Sequence, residues 1–213
     1  MKWMLAIIFL SALLVSSANA SLVGRNLDGN TATAEAYYDT VLNVSWLADA
    51  GGALSPMTWS QTQAWIASLN AQNGGVGYLG VNGWRLPTLH VNIHTPFVYC
   101  GSASELACRD SEFGYMFWQN GVTTSSPGPF ANVAYRYWAD PYNSGTSAPR
   151  LFFMDDGGQT DGTYAEFSHS AWAVHSGDFG SAVVPIPAAG LFAGALGLLG
   201  VTRRRVAGRS ARM

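Results

Sequence analysis

Two apolar segments at opposite ends of the 213-residue chain constrain it more than anything between them. At the start, Lys2 supplies a positive charge, residues 3–15 an apolar stretch, and Ala18-Asn19-Ala20 a small-x-small cleavage site before Ser21. That layout predicts a cleaved secretory signal peptide over residues 1–20, the alternative being a buried N-terminal helix. At the far end, residues 191–201 are continuously apolar or glycine, and Arg203, Arg204 and Arg205 follow. A helix over 188–201 would measure about 21 Å at about 1.5 Å per residue, short of the roughly 30 Å of a bilayer core. The expectation is a short C-terminal transmembrane helix over about 188–202, with the basic tail, residues 203–213, held in the cytoplasm by the positive-inside rule.

The interior, roughly 160 residues, is enough for one domain with a proper core. Glycine is abundant, aromatics are frequent and charge is sparse, as in a loop-rich exported domain held by aromatic packing. Of the 11 Lys and Arg, Lys2 lies in the signal segment and Arg203, Arg204, Arg205, Arg209 and Arg212 in the tail. Five arginines against 13 acids leave the ectodomain at 5 − 13 = −8, which excludes nucleic acid as a natural partner, because phosphate binding rests on Lys and Arg. The only cysteines, Cys100 and Cys108, are close enough in sequence to form a disulfide closing a short loop in an oxidising compartment. A metal or redox pair is the alternative, one that would want CxxC-type spacing or further ligands nearby.

Along the ectodomain, Leu42, Val44 and Trp46 alternate with Asn43 and Ser45 at the period of a half-buried strand. Thr58 and Gln61 have capping-box spacing, Trp65 and Leu69 lie one turn apart, and Gly74-Gly75 ends the pattern, predicting one main helix. Pro87 biases Leu86 away from helix, so residues 80–88 are predicted extended or turning. Residues 91–129 read as irregular, and strands return in VAYRYWADPY, APRLFFMDDGG and SAWAVHSGD. The order predicts an α+β domain over residues 21–183.

Tyr38-Asp39, Leu42-Asn43 and Trp46-Leu47, then Met57-Thr58-Trp59, Ser68-Leu69-Asn70, and above all Trp84-Arg85-Leu86-Pro87-Thr88, resemble the Lcl C-terminal domain family, a bacterial domain of unknown function. Tyr137-Trp138, residues 153–157 and Ala171-Trp172-Ala173-Val174 fit its later blocks. The resemblance implies a C-type lectin-like fold of antiparallel strands, one main helix and long loops. Where members of that family commonly end the last strand with arginine, this chain has His175.

Arg85, between Trp84 and Leu86, is expected to pair with a carboxylate, with Asp39 and Asp49 as possible partners and a ligand-binding role as the alternative. His90 and His94 have the i, i+4 spacing of helical metal ligands, but strand-like residues and Pro96 favour loop positions. Asp155, Asp156 and Asp161 sit in a glycine-rich stretch that reads as a solvated hairpin turn, with calcium as a weaker alternative. The Glu-Pro-Asn, Gln-Pro-Asp and Trp-Asn-Asp strings of calcium-dependent lectins are absent, as are GxSxG, HExxH and a phosphate loop, so no catalytic residue is assigned. Among Trp118, Tyr135, Tyr137, Trp138 and Tyr142, most are expected in the core, while any ring left exposed can stack on a sugar or anchor a protein partner.

The C-terminal string Val184-Pro185-Ile186-Pro187-Ala188, the apolar run and the arginines resemble the PEP-CTERM class of sorting signals, in the variant that reads Val-Pro-Leu-Pro-Ala. That resemblance implies removal of the tail by an exosortase-type membrane protease after transient inner-membrane association, and delivery to the surface or polysaccharide matrix of a Gram-negative bacterium. The expected function is an exported surface or matrix protein whose ectodomain is a binding or structural module for extracellular polysaccharide or a surface protein. The alternatives are a calcium-dependent enzyme acting on extracellular polysaccharide and a permanently anchored surface protein, whose span carries a Gly190-x-x-x-Gly194 contact.

Overall fold

A computed structural model describes residues 22–52, 55–89, 97–98, 111–141, 149–160 and 165–182. These form two five-stranded sheets and two helices. The first sheet grows from a meander of β1 (Leu22–Asn26), β2 (Ala36–Asp39) and β3 (Val44–Leu47). Asp39 organises the β2–β3 turn: its Oδ1 accepts the N–H groups of Val41 and Leu42 at 2.9 and 3.0 Å, and Asn43 takes the left-handed conformation, φ 55°, that asparagine tolerates. The resulting register pairs Asp39 with Val44 and Ala36 with Leu47. The strand is shorter than its alternation suggests, and it is buried on both faces. Ser45 tolerates that burial because its hydroxyl donates to the Gly177 carbonyl at 2.9 Å.

Helix α1 (Trp59–Gly75) starts at the expected capping box, with Thr58 Oγ1 accepting from the Gln61 N–H and Gln61 Oε1 from the Thr58 N–H. Its regular run ends before Gln72, where ψ reaches 155°, two residues ahead of the predicted glycine stop, and Asn73 and Gly74, the first glycine of that stop, then turn left-handed. Strand β4 (Thr88–Leu89) follows the Trp84–Thr88 segment, and the two-residue β5 (Phe97–Val98) comes next. Helix α2 (Glu112–Trp118) lies inside the stretch read as irregular, capped by Ser111, whose Oγ accepts the Gly114 N–H at 3.0 Å. The remaining strands are β6 (Arg136–Pro141), β7 (Arg150–Phe153), β8 (Gln159–Thr160), β9 (Val174–Ser176) and β10 (Ser181–Ala182). The sheets run β10-β1-β2-β3-β9 and β4-β6-β7-β8-β5.

Among the described residues a short second helix, α2, accompanies the expected main helix α1. Two points of the expected fold are corrected. The strands are not all antiparallel: β4 pairs with β6 in parallel, Thr88 opposite Asp140, fixed where the Asp140 N–H donates to the Pro87 carbonyl at 2.8 Å. No helix among the described residues is long and apolar enough to cross a membrane, which corrects the transmembrane element; the segment 188–202 assigned to it lies outside the described residues.

One segment, residues 169–174, joins the two sheets. The Trp138 N–H donates to the Ser170 carbonyl and the Ser170 N–H to Arg136, beside the second sheet; four residues on, Val174 pairs with Trp46 in the first. Between them Trp172 is fully buried, its Nε1 donating to the Leu47 carbonyl at 2.8 Å. Around it pack Trp46 (4.8 Å between ring centroids), Phe130 (4.8 Å), Tyr137 (5.5 Å) and Phe113 (6.3 Å), so aromatic rings supply much of the interior.

Candidate functional site

Arg85 has a partner, and it is neither Asp39 nor Asp49. Its guanidinium makes two hydrogen bonds to Glu112, NH1 to Oε2 at 2.8 Å and NH2 to Oε1 at 2.6 Å. Glu112 Oε2 also accepts the Thr88 N–H at 2.8 Å, so one carboxylate holds both ends of the Arg-Leu-Pro-Thr string. The pairing raises the Arg85 pKa, and burial beside Glu112 raises that of Asp140 despite the opposing field of Arg85. Trp84, Leu86 and Pro87 are buried. Asp39 is occupied by its own turn and by Asn120 Nδ2 at 2.8 Å, and Asp49 Oδ1 by the Gly51 N–H and Asn132 Nδ2. The Trp84–Thr88 string is therefore a structural clamp.

The other predicted positions divide sharply. Asp156 Oδ1 accepts the Gly158 N–H at 2.8 Å inside the β7–β8 turn, a hairpin as the sequence suggests, but one in which Asp155 is exposed while Gly157, Gly158 and Gln159 are buried rather than solvated. Among the described residues no three His, Cys, Asp or Glu side chains gather as a metal site; Asp161, His90 and His94 lie outside those residues. Cys100, Cys108, the signal segment, Val184, Pro185, Ile186, Pro187, Ala188, Arg203, Arg204 and Arg205 also lie outside them. Of the loop aromatics, Tyr137 and Trp138 are fully buried and Trp118 partly so, and Tyr142 is outside the described residues, but Tyr135 is 50% exposed.

Tyr135 stands at the lip of a groove. Arg136 begins β6 directly opposite Phe153 of β7, and this register places its guanidinium 5.0 Å from the Phe153 ring centroid and 5.1 Å from that of Tyr135. Two rings thus hold an exposed cation in place. Asp155, just beyond β7, raises the pKa of the Tyr135 hydroxyl, while Arg136 opposes the shift. The anchor below is Tyr137: its hydroxyl accepts the Ala134 N–H at 2.5 Å, and burial pushes its pKa far up. Because the Ser170 N–H donates to the Arg136 carbonyl, residues 168–170 form the facing wall.

The groove comprises a hollow of about 570 Å³ lined by Pro56, Tyr135, Arg136, Ser168, His169 and Ser170, and one of about 330 Å³ that shares Pro56 and Ser170 and extends to Asn132. The His169 ring meets Trp138 edge-on at 4.7 Å, and its Nε2 is buried without a hydrogen-bond partner. Burial and the nearby Arg136 lower its pKa, keeping the imidazole neutral near pH 7.

No family model matches the chain, and neither a curated protein nor a solved structure matches it. The site is therefore read from its own geometry. An exposed ring face, a fork of donors on Arg136, an acceptor on Asp155 and serine hydroxyls suit a neutral, hydroxyl-rich ligand with apolar faces. No hydrogen bond joins the buried His169 Nε2 to a serine hydroxyl among the described residues. Arg136, His169 and Glu112 escaped the sequence reading. The signal for Arg136 was its place next to Tyr135 in a strand-like run, but which ring would stay exposed depends on register.

Proposed function

We propose that this chain is an exported surface or extracellular-matrix protein whose ectodomain binds polysaccharide through the Tyr135–Arg136 groove. The observation that carries the reading is the half-exposed Tyr135 ring beside an Arg136 guanidinium already ordered between two rings, both on a groove walled by serines. Preordering matters because a side chain fixed before binding loses little entropy on meeting a sugar. Export is supported by the charge, apolar run and Ala18-Asn19-Ala20 layout of the N-terminus, and sorting by an exosortase-type protease by Pro185-Ile186-Pro187 ahead of the arginines.

Two measurements test the reading. In a screen of matrix polysaccharides, Tyr135→Ala and Arg136→Gln are each expected to weaken binding at least about tenfold, roughly 1.4 kcal/mol, with little change in melting temperature. Unchanged binding by both variants would remove the groove from the function. Intact-mass analysis of protein from its native cells is expected to lack Arg203, Arg204 and Arg205; their retention would end the sorting proposal.

A further inference from the structure

His169 stands on the wall facing Tyr135 with a ring nitrogen that nothing satisfies. Its backbone is pinned on one side by Met57, whose N–H donates to the His169 carbonyl at 2.8 Å and whose carbonyl accepts the His169 N–H at 3.0 Å. On the other side Tyr137 and Ser170 form a parallel bridge. Arg136 and His169 lie one position earlier on these two neighbouring chains, so their side chains leave the same face of the pair, and both line the hollow of about 570 Å³. The imidazole meets Trp138 edge-on, 4.7 Å between ring centroids, and its Nε2 is sealed from solvent without a hydrogen-bond partner.

That setting suits a neutral imidazole and opposes a charged one. With both ring nitrogens protonated, the Nε2 N–H becomes the buried donor of a cation with no acceptor, which costs more than an ordinary lost hydrogen bond. Contact with the Trp138 ring favours the cation, but by less than that cost. The surrounding charges do not offset it. Strand β6 contributes the guanidinium of Arg136, a like charge; Pro56 and Met57 contribute none; Asp155 acts on Tyr135, and Glu166, three residues before His169, is exposed. The lowered pKa of His169 agrees with this balance. Since the residue is only partly buried and lines the hollow, the hollow is its way to water.

We propose that His169 is a pH gate on the Tyr135–Arg136 groove, an inference that rests on the polysaccharide reading above. Neutral, the imidazole lies against Trp138 and leaves the hollow open; protonated, it swings into the hollow, occupies the space of a sugar unit beside Arg136, and a neutral polysaccharide is released.

Two measurements on the purified full chain test the gate, one of them without a ligand. In proton–nitrogen spectra the Trp138 indole N–H, which donates to the Met57 carbonyl, is expected to shift between pH 7.5 and 5 with the same midpoint as the His169 ring, below the ordinary histidine value of about 6.5, and to hold its position in His169→Gln. In calorimetry the probes are cellohexaose, laminarihexaose and mannohexaose, neutral sugars with no group that titrates in this range. The wild type is expected to bind the best of them at least about tenfold more weakly at pH 5 than at pH 7.5, while the affinity of His169→Gln, whatever its value at pH 7.5, changes less than about twofold between the two. An indole signal that ignores the His169 titration overturns the gate, and so does wild-type affinity that is flat with pH or that falls equally in the variant. Failure of all three sugars to bind at pH 7.5 instead removes the polysaccharide reading, and the gate falls with it.

Discussion

Arg85 and Glu112, 27 residues apart, face each other through two hydrogen bonds of 2.8 and 2.6 Å, while the same carboxylate accepts the Thr88 N–H. The contact joins the extended Trp84–Thr88 segment to the first turn of α2. The acidic residue also sits where a helix N-terminus favours negative charge. Removing that charge leaves a partly buried guanidinium unpaired. Glu112→Gln is expected to cost about 2 kcal/mol, read as a lower urea midpoint at unchanged slope. Replacing Arg85 and Glu112 together with apolar residues should recover part of the loss, because the unpaired charge is then gone.

Thr58 closes both halves of the capping box of α1. Thr58→Ala is expected to lower stability by about 1 kcal/mol, and Thr58→Ser to preserve it, in equilibrium unfolding followed by far-UV circular dichroism.

Gly77 has φ +98°, and a Cβ there would lie 1.9 Å from the Val81 carbonyl oxygen. Backbone, not a movable side chain, blocks it. Gly77→Ala is expected to cost at least about 2 kcal/mol, whereas Gly80→Ala, with a similarly positive φ of +79° but open space around the new Cβ, should cost less. Comparing the two melting temperatures separates clash from backbone preference.

His169 sets a pH dependence. Burial and Arg136 lower its pKa in the folded protein, so the unfolded chain takes up a proton first as pH falls. Stability at this residue is therefore intact above an unfolded pKa of about 6.5 and declines below it until the folded value is passed. Asp140, whose pKa is raised, acts in the opposite sense, gaining stability on acidification. The difference between wild type and His169→Gln isolates the histidine: between pH 7.5 and 5 the wild type should lose more stability than the variant. A parallel decline in both would assign the slope to other groups.

Local structure was legible wherever the signal was itself local. The capping box at Thr58, the extended stretch at Pro87, the hairpin turn at Asp155-Asp156 and the β6, β7 and β9 strands follow from neighbours a few residues apart. Helix α2 was missed because seven residues interrupted by Gly114 carry too few turns to display a period, even though Phe113 and Met116 do fall on one buried face. The partner of Arg85 was missed for another reason. Asp39 and Asp49 look equally available in sequence, and only the turn and loop hydrogen bonds they make withdraw them.

The residues by themselves determined where the main helix starts and which longer runs extend, that an aromatic interior was needed, and that residues 21–183 carry a net negative charge, because these rest on composition and on interactions within a few positions. Tertiary structure alone decided which rings vanish and which remain usable. Tyr135 and Tyr137 are two residues apart in the same run, yet one is half exposed at a groove and the other is sealed in the core. Strand register opposite β7 and the crossing of residues 169–174 set that outcome. Such placements depend on contacts between residues far apart in the chain, and no local pattern encodes them.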